Sequence, residues 1–182
     1  MSDQRTPDIR AGDALPALEI PITRTLIVAG ALASRDYQDV HHDAELAQAK
    51  GSPDIFMNIL TTNGLVGRYL TDHFGPTAVL QKLAIRLGAP NYPGDTMTLT
   101  GTITEVDAAT AAATATAPAP ATAPTPATVP APAPAKTTVQ VRIVGTNALG
   151  HHVTGTATLH LPPGGVAASC ASSPRRSPEG AV

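Results

Sequence analysis

The sequence predicts an α+β fold, one long buried helix followed by an antiparallel sheet, and three observations carry that expectation. Apolar residues Ile55, Phe56, Ile59, Leu60, Leu65, Val66, Tyr69 and Leu70 recur at roughly helical spacing, a stripe broad enough for burial under a sheet. Residues 96–106 alternate Thr with mostly apolar residues, and 137–144 and 153–161 alternate similarly, which is the period of strands. The strands follow the long helix as a group, which is the α+β order.

Taken in chain order, residues 1–14 carry Asp, Arg, Gly and Pro without periodicity and read as a disordered N-terminus. A short strand is expected over 17–21. Residues 23–34 are rich in Ala, Leu, Ile and Val, with Thr23 or Thr25 available as an N-cap, and suit a short helix packed inward. Asp43 can cap a second short helix over 44–50, which Gly51-Ser52-Pro53 stops. Pro53 or Asp54 then opens the longest helix. Gly64 inside its apolar stripe costs about 1 kcal/mol against Ala, so a close backbone approach is expected there.

After Gly75-Pro76 the texture turns to strands, first over 79–87, with Asn147-Ala148-Leu149-Gly150 as the turn between the last two. Between them, 108–135 is almost entirely Ala, Thr and Pro, with seven prolines from Pro118 to Pro134. Such a segment has little to bury, and Pro cannot sit in a central ladder. It reads as a disordered, partly polyproline-II insertion between neighbouring strands, with 162–182 as a disordered tail.

A chain of 182 residues with these stretches removed holds one domain with a real core, here 15–161. Its net charge of −2, with no basic cluster denser than Arg175-Arg176, leaves no electrostatic footprint for nucleic acid or anionic lipid. Cys170 stands alone, so neither an intrachain disulfide nor a thiolate metal cage can form, and a reducing cytoplasm fits. The N-terminus is polar, and the longest apolar run, 26–33, is far too short to span a bilayer. A soluble, unexported protein is expected.

The chemistry is concentrated in Ala33-Ser34-Arg35-Asp36-Tyr37-Gln38-Asp39-Val40-His41-His42-Asp43. Ionised Asp36 is an acceptor and neutral His41 can donate or accept, so the pair can hold one water, take a proton from it and deliver another to a nearby carbon. On these residues alone, the bland alternative is a helix-terminating Asp and a surface His. A metal site from His41, His42 and Asp43 is disfavoured, because consecutive residues rarely face one ion and no further ligand is near in sequence. His42 reads as structural and His151-His152 as a solvated feature of the hairpin. Arg35 and Arg86 stand open between ordinary surface cations and contacts to phosphate or a partner chain.

The same run resembles the signature of the MaoC-like (R)-specific enoyl-CoA hydratases, small-Gly-Asp-x-Asn-Pro-hydrophobic-His, with Asp36, Val40 and His41 in place. Arg35 replaces the Gly, Gln38 the Asn and Asp39 the Pro. The resemblance continues through Asp54-Ile55-Phe56, Arg86 to Pro90 and Pro93-Gly94-Asp95-Thr96, and covers about 15–107 and 136–161. Within the family, the dyad run, Asp54-Ile55-Phe56 and Gly145-Thr146-Asn147-Ala148-Leu149-Gly150 look most like the small subunits of actinobacterial heteromeric hydratases of cholesterol side-chain degradation. All three departures are habits of that group.

The resemblance implies a single hotdog fold, an antiparallel sheet wrapped around a central helix, that hydrates a trans-2-enoyl-CoA to a 3-hydroxyacyl-CoA. Asp36 would be the main base and His41 the group returning a proton to C2. The backbone amides of Met57 and Asn58, near the start of the central helix, would bind the thioester oxygen. Asn58 stands where the family commonly has Gly, and the group expected to matter is its amide rather than its side chain. No metal or redox cofactor is implied, and coenzyme A enters as part of the acyl-CoA substrate. A second MaoC-like hotdog subunit would help form the acyl pocket, which suits a bulky steroid side chain. The competing readings are a hotdog thioesterase, attacking C1 and releasing free thiol, and a non-catalytic partner subunit, which would not need the dyad.

Overall fold

The computed structural model describes residues 9–108 and 136–162. The element order is β1 (Ala14–Pro21), α1 (Arg24–Ala33), a 3-10 turn (Asp39–His41), α2 (Ala44–Ala49), α3 (Ile59–Phe74), β2 (Val79–Leu87), β3 (Thr96–Ala108), β4 (Thr137–Asn147) and β5 (Gly150–Leu161). The five strands form one sheet in the order β1-β3-β4-β5-β2, and every neighbouring pair is antiparallel. Strand β2 follows α3 in sequence yet pairs with β5 at one edge, while β1 holds the other. The sheet curls around α3 in the hotdog manner the sequence predicts.

The apolar stripe of α3 is what the sheet covers. Val66, Leu70 and Phe74 are buried in one cluster with Met97 and Leu99 of β3, Val141 and Ile143 of β4, and Leu159 of β5. Each such side chain contributes about 1.5–3 kcal/mol through removal from water. Helix α3 begins later than Pro53 or Asp54, because Asn58 is its N-cap and accepts from the Thr61 amide. Asp54 is engaged elsewhere, accepting from its neighbour's amide at Ile55 and from both terminal nitrogens of Arg24. Residues 55–57 are held outside the helix by Phe56 N–H donating to the Val40 carbonyl and Met57 N–H to that of Asn91.

The close approach expected at Gly64 lies instead at Gly30. A Cβ on Gly64 would meet nothing within 4 Å, whereas one on Gly30 would lie 2.1 Å from Thr61 Oγ1. Glycine in α1, not in α3, therefore sets how closely the two helices pack. At the N-terminus, the segment expected to be loose is ordered from at least Gly12, whose amide donates to Ile103, while the Ile103 amide returns a bond to Asp13. At the other interruption, Ala108 pairs with Thr137, so the Ala/Thr/Pro insertion joins registered neighbouring strands. Of the three segments read as disordered, residues 1–8, 109–135 and 163–182 lie outside the described residues. Among the described residues, no helix is long and apolar enough to cross a membrane.

Candidate active site

The site is built where α1 stops. Ser34 is the C-cap, and the chain then turns back on itself, with Arg35 N–H donating to Leu32 O at 3.1 Å and Asp36 N–H to Ala31 O at 2.9 Å. This turn requires a left-handed residue, and Arg35 takes it at φ 57°, the one non-glycine with positive φ among the described residues. That explains why the related signature has Gly here. Arg takes this conformation at a cost of roughly 1–2 kcal/mol, and Asp36 follows it directly. Asp39, in the place of the signature's Pro, opens the 3-10 turn and pairs with Lys50 at 2.7 Å, whose ammonium holds the Asp39 carboxyl below its ordinary pKa. The turn brings His41 inward.

His41 is 6% exposed. Its Nδ1 lies 2.7 Å from the Phe56 carbonyl oxygen, and a carbonyl can only accept, so Nδ1 carries the hydrogen. The Phe56 ring packs edge-on against the imidazole at 5.0 Å and fixes its plane. Nε2 is thereby aimed at Asp36 Oδ2, 3.4 Å away. With Nδ1–H committed, a neutral His41 would present a bare lone pair to an ionised carboxylate. One proton held by the pair, or one water donating to both, removes that conflict. The two residues the sequence singles out are thus brought together, and in an arrangement suited to handling a proton.

The other two expected site residues are placed differently. The Met57 amide donates to Asn91 O at 3.1 Å, so it is occupied by the protein and is not open to a thioester oxygen. Asn58, expected to matter through its amide, also has a fully engaged side chain. It is 2% exposed, its Oδ1 accepts from Thr61 N–H at 2.9 Å, and its Nδ2 donates to Ser34 Oγ at 2.9 Å and to Asp36 Oδ2 at 3.1 Å. Helix geometry leaves the Ile59 and Leu60 amides of the first turn without an intrahelical partner, on the positive end of the α3 dipole.

Behind the dyad lies a buried polar scaffold that sequence reasoning missed. His152 is 1% exposed rather than solvated. Its Nδ1–H donates to Ala89 O at 2.7 Å, which leaves Nε2 to accept from the Thr62 hydroxyl at 2.9 Å. Burial pushes its pKa below the ordinary value, against smaller opposing effects of the Ala89 bond and the Asp95 charge. The cause of the misreading is a bulge. Gly145 pairs with Val153 but Thr146 with His151, so His152 is the extra residue and both it and Val153 are buried. Asn147 Nδ2 completes the scaffold by donating to Pro90 O at 2.8 Å and Asn91 Oδ1 at 2.7 Å. Asn91 in turn holds Met57, next to the N-cap of α3.

His42 is exposed, with Nε2 3.2 Å from Tyr37 O, and His151 is also exposed. Arg35 and Arg86 both face solvent. Among the described residues, no three His, Cys, Asp or Glu side chains converge as a metal site. Gly30, Ala33, Ser34, Leu60, Thr61 and Leu65 are among the residues lining an open, mainly apolar groove between α1 and α3, in which Ser34 is the residue that Asn58 ties to Asp36. A carboxylate, an imidazole and a helix N-terminus can together activate water against a polarised acyl group.

The chain belongs to the family of the MaoC like domain, whose pattern matches residues 10–123. It is 41% identical over 150 residues to the 3-oxo-4,17-pregnadiene-20-carboxyl-CoA hydratase beta subunit of Mycobacterium tuberculosis, covering 82% of this chain and 95% of that one. In structure it resembles a chain of the crystallised ChsH1-ChsH2 complex from the same organism, with a TM-score of 0.67, 40% identity, and coverage of 84% of this chain and 98% of that chain. An (R)-hydratase from A. caviae involved in PHA biosynthesis shares the fold, with a TM-score of 0.65 at 16% identity, covering 86% of this chain and 100% of the other.

Proposed function

We propose that this chain is the catalytic subunit of a heteromeric enoyl-CoA hydratase, with a bulky steroid side-chain trans-2-enoyl-CoA as substrate. The observation that carries the reading is the Asp36–His41 pair, with a 3.4 Å contact between Oδ2 and an Nε2 whose opposite nitrogen is anchored. Its support is the 41% identity to a hydratase subunit named for a steroid side-chain CoA thioester, and the likeness to a two-component complex.

The dyad enters the reaction holding one proton, as carboxylate and imidazolium. Asp36 accepts a proton from the bound water as its oxygen forms the bond to C3. The π electrons of the double bond move toward the thioester carbonyl, and the charge gathering on that oxygen is stabilised by the Asn58 amide and by the N-terminus of α3 at Ile59 and Leu60. His41 gives its Nε2 proton to C2, completing the 3-hydroxyacyl-CoA. The proton is then on Asp36, and its return to His41 Nε2 resets the pair. Water addition changes no overall oxidation state, so the reaction calls for neither metal nor redox cofactor, and coenzyme A arrives with the substrate. A second MaoC-like hotdog chain completes the acyl pocket, in a cytoplasmic setting.

The test is co-expression with a second MaoC-like chain, followed by incubation of the complex with a steroid side-chain enoyl-CoA. Loss of enoyl thioester absorbance, with a product heavier by one water, is expected. Release of free thiol would replace this reading with a thioesterase. Full hydration by a complex carrying Asp36→Asn would make this chain the non-catalytic partner.

A further inference from the structure

We propose that the side chain of Asn58 is a positioning residue for catalysis, holding Asp36 in its working orientation and tying it to the start of α3; this rests on the hydratase reading above. The case begins with the hydrogen-bond inventory of one amide. An asparagine side chain has one oxygen that accepts and two N–H groups that donate. Here the Thr61 N–H must face the oxygen, since a backbone amide can only donate, which settles which way round the group lies. Both remaining hydrogens are then used, one on Ser34 Oγ at 2.9 Å and one on Asp36 Oδ2 at 3.1 Å. Ser34 Oγ passes its own hydrogen to Gly30 O at 2.7 Å.

One buried side chain therefore spans three places: the end of α1, the catalytic carboxylate and the beginning of α3. The consequence is geometric. Asp36 follows a sharp left-handed turn, its side chain is 18% exposed, and the contact it makes within its own segment, 3.4 Å to His41 Nε2, is too long to fix one carboxylate rotamer. Asn58 supplies the selection by donating to Oδ2, the same oxygen that faces His41, which leaves Oδ1 as the acceptor for water. Because the same residue caps α3, the base and the helix N-terminus that meets the thioester oxygen move as one unit. A carboxylate and an electrostatic site that must act on one small substrate gain from such fixed registry.

Cap and donor can be separated by substitution. Asn58→Ser keeps an N-cap oxygen but has no amide hydrogens, Asn58→Ala removes both, and Asn58→Asp keeps the cap while turning the donor into an acceptor. In the co-expressed complex, Asn58→Ser is expected to keep the wild-type unfolding midpoint, while kcat falls about 10-fold to 10²-fold and KM changes little. Asn58→Ala should match that kcat yet unfold earlier. Asn58→Asp should move the acid limb of the kcat profile to higher pH, because two adjacent carboxylates resist ionising together. A crystal structure of Asn58→Ser should show Asp36 turned away from His41. Wild-type kcat and an unmoved Asp36 in Asn58→Ser would overturn the proposal. An inactive wild-type complex with Asp36 displaced in the Asn58→Ser crystal would instead count against the hydratase reading alone.

Discussion

The chain has two consecutive histidine pairs, His41-His42 and His151-His152, and they end in opposite roles from nearly the same starting point. In each, one ring is buried and its neighbour exposed. In each, the buried ring gives its Nδ1 hydrogen to a backbone carbonyl at 2.7 Å, Phe56 for His41 and Ala89 for His152. The difference is at Nε2. That of His152 is closed by the Thr62 hydroxyl, a neutral donor that completes the ring's hydrogen bonding and leaves nothing to react. That of His41 faces a carboxylate. Burial and anchoring are therefore common to both rings; what sets His41 apart is a second nitrogen that faces an acid.

The largest effect should come from breaking the Nε2 contact that distinguishes the first pair. Asp36→Asn and His41→Ala are each expected to lower kcat of the complex by about 10² to 10⁴ while circular dichroism and unfolding midpoint show a folded domain. A dead His42→Ala with an active His41→Ala would reverse the assignment within the pair.

The second pair should be broken in stability rather than in chemistry. His152→Ala leaves a cavity, strands the Ala89 carbonyl and leaves the Thr62 hydroxyl only its longer bond to Asn58 O at 3.3 Å, so a loss of about 3 kcal/mol in urea unfolding is expected. The pH dependence has a definite sign. Burial holds the His152 pKa below its ordinary 6.5, so the unfolded chain binds the proton first. Stability from neutral His152 is fully present above about pH 6.5 and is lost as pH falls toward the depressed folded value. His73, also lowered by burial, adds a slope of the same sign. Unfolding free energy of the wild type should decline with acid from about pH 6.5 more steeply than that of His152→Ala. Equal slopes would show that folding leaves the His152 pKa where it is in the unfolded chain.

The smallest effects belong to the exposed members. His42→Ala and His151→Ala should each stay within about 0.5 kcal/mol of wild type in stability, with turnover within a few-fold. A large loss in either, read by the same unfolding and absorbance assays, would mean that the partner chain buries that ring.

Much of the site was legible in sequence because its signals are local. Asp36 and His41 are five residues apart, in one turn whose shape is set by the end of α1 and by three residues of 3-10 helix. The apolar stripe of α3 and the alternation of β3, β4 and β5 are likewise short-range periodicities that burial on one face imposes. That order of elements specified the α+β class, and the resemblance of the dyad run to the MaoC-like hydratases added the hotdog arrangement.

Other features of the site depend on residues far apart in the chain. Whether the Met57 amide is free turns on Asn91, and whether Asn58 matters through its side chain turns on where Ser34 and Asp36 come to lie. His152 is buried because of a one-residue bulge against β4, which no alternation of residue types reveals. The glycine that lets α1 and α3 meet is Gly30 rather than Gly64, because closeness is a property of the opposite helix and not of the stripe that contains the glycine. Residue types and their spacing suffice to name the candidate groups and to say which face of each element is apolar. Their hydrogen-bond partners, and so which histidine can move a proton, follow from packing between segments that one-dimensional spacing does not relate.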